Sequence, residues 1–574
     1  MSLLVFIILF FILRCSPSNE AIGRLTLSST HQIAQLFELE TKFVESLKSL
    51  PLQEPEFHKT LNSIYPDTFL KKLKSIKGED YASHPINALN LARRTGWQSL
   101  QLKPWISNYT YFLNYTNYFP TVDDYYEACS GLSLLIEAYQ LNLTEFCKLG
   151  KIGEHMSLIP PGWSILTDIG ISSINRGWYD TGITMMQHSL QAYSGKKEEY
   201  QIYKKELDKS IIMHDKLLQL RGPIGKRHRT FRVPFSKELR KKKKYKKILK
   251  TGEDIRYRPT IEDNYESLKY KDSALFHKHC RKKEKVLESH ERCYLIHNDN
   301  PFYKLLPFKM ELLSESPFIV IFRDFMSDVE TKHFTDIAGR RLRRSQTGSL
   351  TEVEGKEEKG ELIRTSKQIW LQESTFNISQ FLTEEEIQMI TKGTGRPHFP
   401  GNYKDHLVIL NEIGFRITKR IGRATKLNVE DAWSAEAYQI ANYGLGGQYD
   451  VHFDARGHFE YPPVDEITRF GYENYGDRLA TFMVYLRDVP MGGATVFPKI
   501  NIYSNAQRGD AVFWINLLSD GTLDTRTLHG GCPVLVGSKW ITNKWIASNV
   551  QMHLYPCPLK LSSNMDIRPA LEHF

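Results

Sequence analysis

From about Pro317 onward the chain runs in short β-rich segments separated by Gly and Asp turns, and no other feature narrows its fold as much. The runs are 434–443, 449–454, 479–486, 494–497, 511–516, 533–536 and 540–546. Many short strands at such close spacing predict a sandwich or jelly roll. A chain of 574 residues is too long for a single core, so the upstream half should form further domains. With 41% apolar and 12% aromatic residues, it is not a disordered chain.

The upstream half reads as helical. Residues 3–13 are an apolar run followed by polar sequence. A bilayer span takes about 20 apolar residues, so 1–20 is expected to be a secretory signal peptide, with no membrane span after it. Ile33, Leu36, Phe43, Leu47 and Leu50 then recur at helical steps with a coiled-coil-like seam. That stripe suits dimerisation or packing within its own domain, and 21–150 is assigned as a helical N-terminal/dimerisation region. Residues 151–225 contain a helix, a turn at 175–177 and a second helix, with small residues where the helices must approach. This is the shape of one tetratricopeptide-type unit, for which a helix around 198–220 is the expected partner. Trp163, Trp178, Tyr179 and Tyr193 either line a peptide groove there or pack its core.

A net charge of +10 suggests nucleic acid until it is located. Residues 226–250 carry thirteen Lys/Arg against one acid, which leaves the remainder near −2. Behind a signal peptide, this segment reads as part of a linker (226–310), and no nucleic-acid partner is expected. Beyond Cys15 there are six cysteines, for which the oxidising route predicts disulfides. Sequence neighbours give the simplest pairing: Cys129 with Cys147, Cys280 with Cys293, and Cys532 with Cys557. Fifteen pairings are possible. Asn108, Asn114, Asn142 and Asn377 each begin an N-glycosylation acceptor.

The chemistry lies in the C-terminal part, 311–574. His452 and Asp454 are two apart on an expected strand, so both can face the barrel interior. One imidazole and one carboxylate are two corners of a 2-His-1-carboxylate triad, which holds Fe(II) and leaves positions open. His529, 75 residues after Asp454, is the candidate third ligand. Ten residues further on, a hairpin can return Lys539 beside it, where an ammonium could meet the distal carboxylate of a keto acid.

The segments ANYGLGGQYDVHFD (441–454), GGATVFP (492–498) and HGGCPVLVGSKW (529–540) closely resemble the α subunit of animal collagen prolyl 4-hydroxylases. The resemblance runs from about Cys280 to Cys557 and reaches more weakly back to the N-terminus. It implies a multidomain α + β chain: α-helical N-terminal domains, including the tetratricopeptide-like peptide-binding domain, then a double-stranded β-helix (jelly-roll) dioxygenase domain. It implies that His452, Asp454 and His529 ligate Fe(II) and that Lys539 pairs with the C5 carboxylate of 2-oxoglutarate. Tyr443 and Thr495 would line the co-substrate pocket, with Trp545 beside it and Tyr449 near the peptide. Trp178 and Tyr179 would contribute to peptide binding upstream. The implied reaction converts 2-oxoglutarate and O2 to succinate and CO2 while hydroxylating peptidyl proline at C4, with ascorbate as reductant. The implied setting is the endoplasmic reticulum lumen, with protein disulfide isomerase as β subunit, a second α subunit (α2β2) and a procollagen-type peptide as substrate.

Several features depart from the family pattern. Val451 replaces the Pro commonly found before the first ligand, and the loop 455–463 is reshaped. About 30 residues around 373–403 look inserted, and the second helix pair of the peptide-binding domain is short. These changes leave the chemistry intact but keep open proline-rich non-collagen substrates or a catalytically silent scaffold.

Overall fold

The computed structural model describes residues 27–221, 234–242, 275–281, 292–339, 342–344, 366–373, 407–410, 412–430, 433–455, 475–505, 507–556, 566–567 and 571. The expected signal peptide, most of the basic segment, residues 374–403, Asn377 and Cys557 lie outside the described residues.

Helices of ten or more residues are α1 (Thr30–Lys48), α2 (Pro55–Ile64), α3 (Pro85–Gly96), α4 (Val122–Tyr139), α5 (Trp163–Asn175), α6 (Tyr179–Gln191), α7 (Lys197–Arg221), α8 (Asp328–Gly339) and α9 (Glu412–Thr425). Ser29 starts α1 by accepting the Gln32 amide, and Thr121 with Asp124 forms a capping box on α4. The stripe with the coiled-coil-like seam is used inside the chain. Ile33, Leu36, Phe43 and Leu47 are buried, and Phe43 meets Phe112 and Phe119 edge-on. Glu40 on the same helix forms a two-pronged buried pair with Arg94 of α3 at 2.8 Å. The helix pair α5–α6 turns at Gly177, whose φ of +81° suits glycine. Gly170 and Gly182 sit at the crossing. A Cβ on Gly182 would lie 2.6 Å from the Gly170 carbonyl oxygen.

The C-terminal strands are β1 (Arg292–Ile296), β2 (Phe308–Glu315), β3 (Phe318–Arg323), β4 (Arg343–Arg344), β5 (Ser366–Glu373), β6 (Leu407–Leu410), β7 (Tyr438–Tyr443), β8 (Tyr449–His452), β9 (Arg478–Tyr485), β10 (Met491–Gly492), β11 (Thr495–Phe497), β12 (Ile502–Ser504), β13 (Ala511–Ile515), β14 (His529–Gly531), β15 (Val534–Val536) and β16 (Trp540–Ala547). The major sheet runs β1-β2-β3-β13-β9-β16-β7-β5-β4, with β6 on β5, and the minor sheet runs β8-β14-β11-β12. All seven runs read from the sequence are present, although the first is a continuous strand only from Tyr438, with Ala435 bridged singly to Ile546.

Strand alternation sorts β9 into two faces. Ala480, Phe482 and Val484 pack with Phe334 of α8 and with Ile417 and Ile421 of α9. Met483 and Tyr485 face inward with Tyr443, Trp514, Phe497 and Val534, filling the space between the sheets. This sandwich of two layers, antiparallel except where β6 joins β5, is the jelly roll expected from the strand spacing.

The cysteine pairing follows space and not sequence. Cys280, on the helical segment 275–280, is bonded to Cys532 just after β14, with Cα atoms 5.6 Å apart. The expected pairing of Cys280 with Cys293 and of Cys532 with Cys557 is therefore corrected. Cys293 is an exposed thiol on β1, at the far edge of the major sheet, while segment 275–280 lies against β14. Cys129 and Cys147 are both buried and unbonded to each other.

Candidate active site

Antiparallel pairing of β8 with β14 sets His452 directly opposite His529. Asp454 lies just past the end of β8. Its Oδ1 is 3.6 Å from Nε2 of His452, and its Oδ2 is 3.7 Å from Nε2 of His529. One ligand atom from each of the three lies within 4.8 Å of the others. Each histidine is held by its other nitrogen. Nδ1 of His452 donates to the Asp450 carbonyl at 2.8 Å, and Nδ1 of His529 to the Thr527 carbonyl at 3.0 Å. Both Nε2 lone pairs thus face the carboxylate, as ligation requires. The carboxylate–imidazole spacings fall within what two ligands about 2 Å from one ion span.

Asp454 is braced in turn by the major sheet. Thr481 Oγ1 donates to its Oδ2 at 2.7 Å, and Asn516 donates to Thr481 at 3.0 Å. Arg478, buried against Glu436 at 2.6 Å, donates to the Asp454 carbonyl at 3.3 Å. Burial opposes ionisation of Asp454, but His529, His452 and Arg478 outweigh it and hold the carboxyl well below the usual range. Burial and the neighbouring His452 push His529 down to about 4, which keeps it a neutral donor.

At the other end of the interior lies Lys539. Its Nζ sits 5.2 Å from the ring of Tyr443 and 5.9 Å from that of Tyr485. Burial pushes it down to about 7, with no carboxylate among the described residues opposing that shift. Gly531 leaves the space above it open, since a Cβ there would stand 3.2 Å from Nζ. Thr495, opposite Gly531, accepts the Tyr485 hydroxyl at 2.8 Å. A buried ammonium without a carboxylate partner suits an anionic ligand.

The structure therefore brings His452, Asp454, His529, Lys539, Tyr443 and Thr495 into one interior. The ring of Tyr449 stacks on His452 at 3.5 Å. Trp545 lies on the same inward face of the major sheet as Thr481 and Tyr485. It pairs with Thr481, four residues along β9 from Tyr485, and has Arg478 3.7 Å over its ring. Its contacts are with the support of Asp454. Trp178 is buried in the helical region with Arg176 5.2 Å over it, and Tyr179 packs with Ile183 and Met186. Neither joins the triad. Asn108, Asn114 and Asn142 are exposed. Thr481, Tyr485, Arg478 and Trp514 (its ring 4.8 Å from His529) were not singled out from the sequence. Thr481 and Tyr485 did carry a signal, as polar residues four apart on one face of an apolar strand.

Residues 438–547 match the model of the 2OG-Fe(II) oxygenase superfamily, and residues 29–151 match that of the prolyl 4-hydroxylase α-subunit N-terminal region. Prolyl 4-hydroxylase subunit alpha-1 of Rattus norvegicus is 29% identical over 93% of this chain and 95% of its own length. A solved viral collagen prolyl hydroxylase from Paramecium bursaria Chlorella virus-1 aligns with 40% of this chain and 96% of its own, at 21% identity and a TM-score of 0.24. Subunit alpha-1 of Gallus gallus is 30% identical over 84% of this chain and 88% of its own length. With a dioxygenase domain behind the matching N-terminal region, the chain belongs to the prolyl 4-hydroxylase α-subunit family.

Proposed function

We propose that this chain is the catalytic α subunit of a peptidyl-proline 4-hydroxylase, with His452, Asp454 and His529 holding Fe(II) and Lys539 taking the C5 carboxylate of 2-oxoglutarate. One observation carries the reading: a three-donor set and a buried, carboxylate-free ammonium share one barrel interior. Bound iron supplies O2 activation coupled to decarboxylation of the co-substrate, which yields succinate, CO2 and a 4-hydroxyproline. The chain's own residues bind and orient. Thr481 and Arg478 fix Asp454, and Tyr443, Tyr485 and Thr495 shape the lysine end. The apolar walls of Trp514, Phe497 and Met483 exclude water around the reacting groups.

Peptide would be delivered by the helices within 151–225. Half-buried Trp163 and Tyr193, whose rings lie 4.5 Å apart, suit this better than buried Trp178. Residence in the endoplasmic reticulum lumen, cleavage of a signal peptide after about residue 20 and glycosylation at the exposed acceptors complete the proposal. So do ascorbate as reductant and assembly with protein disulfide isomerase and a second α subunit. Procollagen-type X-Pro-Gly sequences are the proposed substrate.

The test is to co-produce the chain with a disulfide isomerase and assay 2-oxoglutarate decarboxylation with (Pro-Pro-Gly)-type peptides and with other proline-rich peptides. Peptide-dependent succinate and 4-hydroxyproline are expected. Hydroxylation of non-collagen peptides alone would remove the collagen assignment and leave the dioxygenase. No turnover with any peptide would favour a silent scaffold.

A further inference from the structure

The strand that carries Tyr443 is gripped from behind by the start of α1. Asn442, fully buried, points away from the barrel interior. Its Oδ1 accepts from Ser29 Oγ at 2.6 Å and from the His31 amide at 3.1 Å. Its Nδ2 donates to the Lys539 carbonyl at 3.0 Å and to Ser538 Oγ at 3.2 Å. Thr30 Oγ1 adds bonds to the Tyr443 carbonyl at 2.8 Å and to Ser538 at 2.7 Å. One buried amide thus links the N-cap of α1 to the backbone of Lys539.

The contact continues along the turn from β7 to β8, which joins Tyr443 to the strand of His452. Leu445 donates its amide to the Leu27 carbonyl at 3.2 Å. Gly444 lies so close to the N-terminal segment that a Cβ would stand 2.2 Å from the Leu27 oxygen and 2.5 Å from the Ser29 nitrogen. Gly446 meets Gly131 of α4 in the same way, at 2.5 Å from its carbonyl oxygen. Glycines here allow backbone to pack on backbone, and a side chain at 444 would first meet residues 27–29.

Resting on the function proposed above, we infer that Ser29, through Asn442, and Thr30, through the Tyr443 carbonyl and Ser538, are positioning residues for Lys539, so that the docked N-terminal helices set the affinity of the site for 2-oxoglutarate. Among the described residues Lys539 has no ion-pair partner to hold it, so its place depends on its backbone, and that backbone is held by Asn442 and the Tyr443 amide. Loosening the clamp should weaken co-substrate binding before it touches the metal ligands, which have their own supports on β8, β9 and β14.

The test uses the full chain with its isomerase partner and compares wild type, S29A/T30A, N442A, the triple variant, G444A and K539A. Each is assayed for 2-oxoglutarate KM, peptide KM and kcat. The KM for 2-oxoglutarate should rise about tenfold in S29A/T30A and N442A, the worth of about one buried hydrogen bond. Peptide KM and kcat should stay within about twofold, and the triple variant should raise the 2-oxoglutarate KM by less than the product of the two effects, because the contacts converge on residues 443 and 538–539. G444A should shift the same constant in the same direction. An unchanged 2-oxoglutarate KM in both S29A/T30A and N442A would overturn the inference. So would a kcat loss with KM unchanged, which is what a merely structural role gives. In either case an impaired K539A would leave the proposed function standing. A K539A variant with wild-type 2-oxoglutarate affinity would overturn both.

Discussion

The two ends of the barrel interior are built on opposite plans. At the metal end every ligand is anchored before any ion arrives: two imidazoles by backbone carbonyls, and one carboxylate by Thr481 with Arg478 behind it. At the lysine end a single ammonium sits among aromatic rings, with nothing of opposite charge beside it among the described residues. The first end is a donor set already fixed by its neighbours and should bind by fixed geometry. The second is short of a counter-charge and should bind by relieving desolvation.

That contrast can be broken at its strongest point first. His529→Ala removes a ligand from an otherwise rigid set, and 2-oxoglutarate turnover should fall to background with the fold intact by circular dichroism. Residual turnover near wild type would show that His529 is not a ligand.

The lysine end should respond to pH. Burial holds Lys539 at about 7, so above pH 7 the group is largely neutral. A bound carboxylate favours the ammonium, so binding must take up a proton there, and affinity should fall by up to about tenfold per pH unit above 7. Below pH 7 this group should contribute no pH dependence. Calorimetry in buffers of different ionisation enthalpy should show the uptake in wild type and its loss in K539A.

Support of the metal end gives the next effect. Thr481→Val keeps the shape but removes the hydroxyl from Asp454, and metal affinity should drop about tenfold by competition with a chelator. The smallest change sharpens the lysine end. Gly531→Ala puts a methyl 3.2 Å from Nζ, and 2-oxoglutarate KM should rise a few-fold, about the cost of mild overpacking, with metal affinity unchanged.

Much of this was legible in the sequence because it depends on local periodicity. The i, i+2 spacing of His452 and Asp454 and the alternation of 479–486 need only strand geometry. Strand β3, Phe318–Arg323, escaped because it is apolar on both faces and shows no alternation. The register that sets Trp545 opposite Thr481 is a property of the sheet and not of either strand. The Cys280–Cys532 bond spans 252 residues, and the Ser29–Asn442 contact spans 413. Nothing in the local pattern announces either. The coiled-coil-like seam of α1 was readable as an apolar stripe, but only the packed chain reveals that its own core covers it.

The central claim is that the two ends hold two ends of one co-substrate. It is tested most directly by comparing 2-oxoglutarate with 2-oxopentanoate, which lacks the distal carboxylate, in binding to the Fe(II)-loaded wild type and K539A without oxygen. The account predicts a preference of about a hundredfold for 2-oxoglutarate in wild type, the worth of a buried charge pair, and almost none in K539A. A K539A variant that keeps the wild-type preference would contradict it.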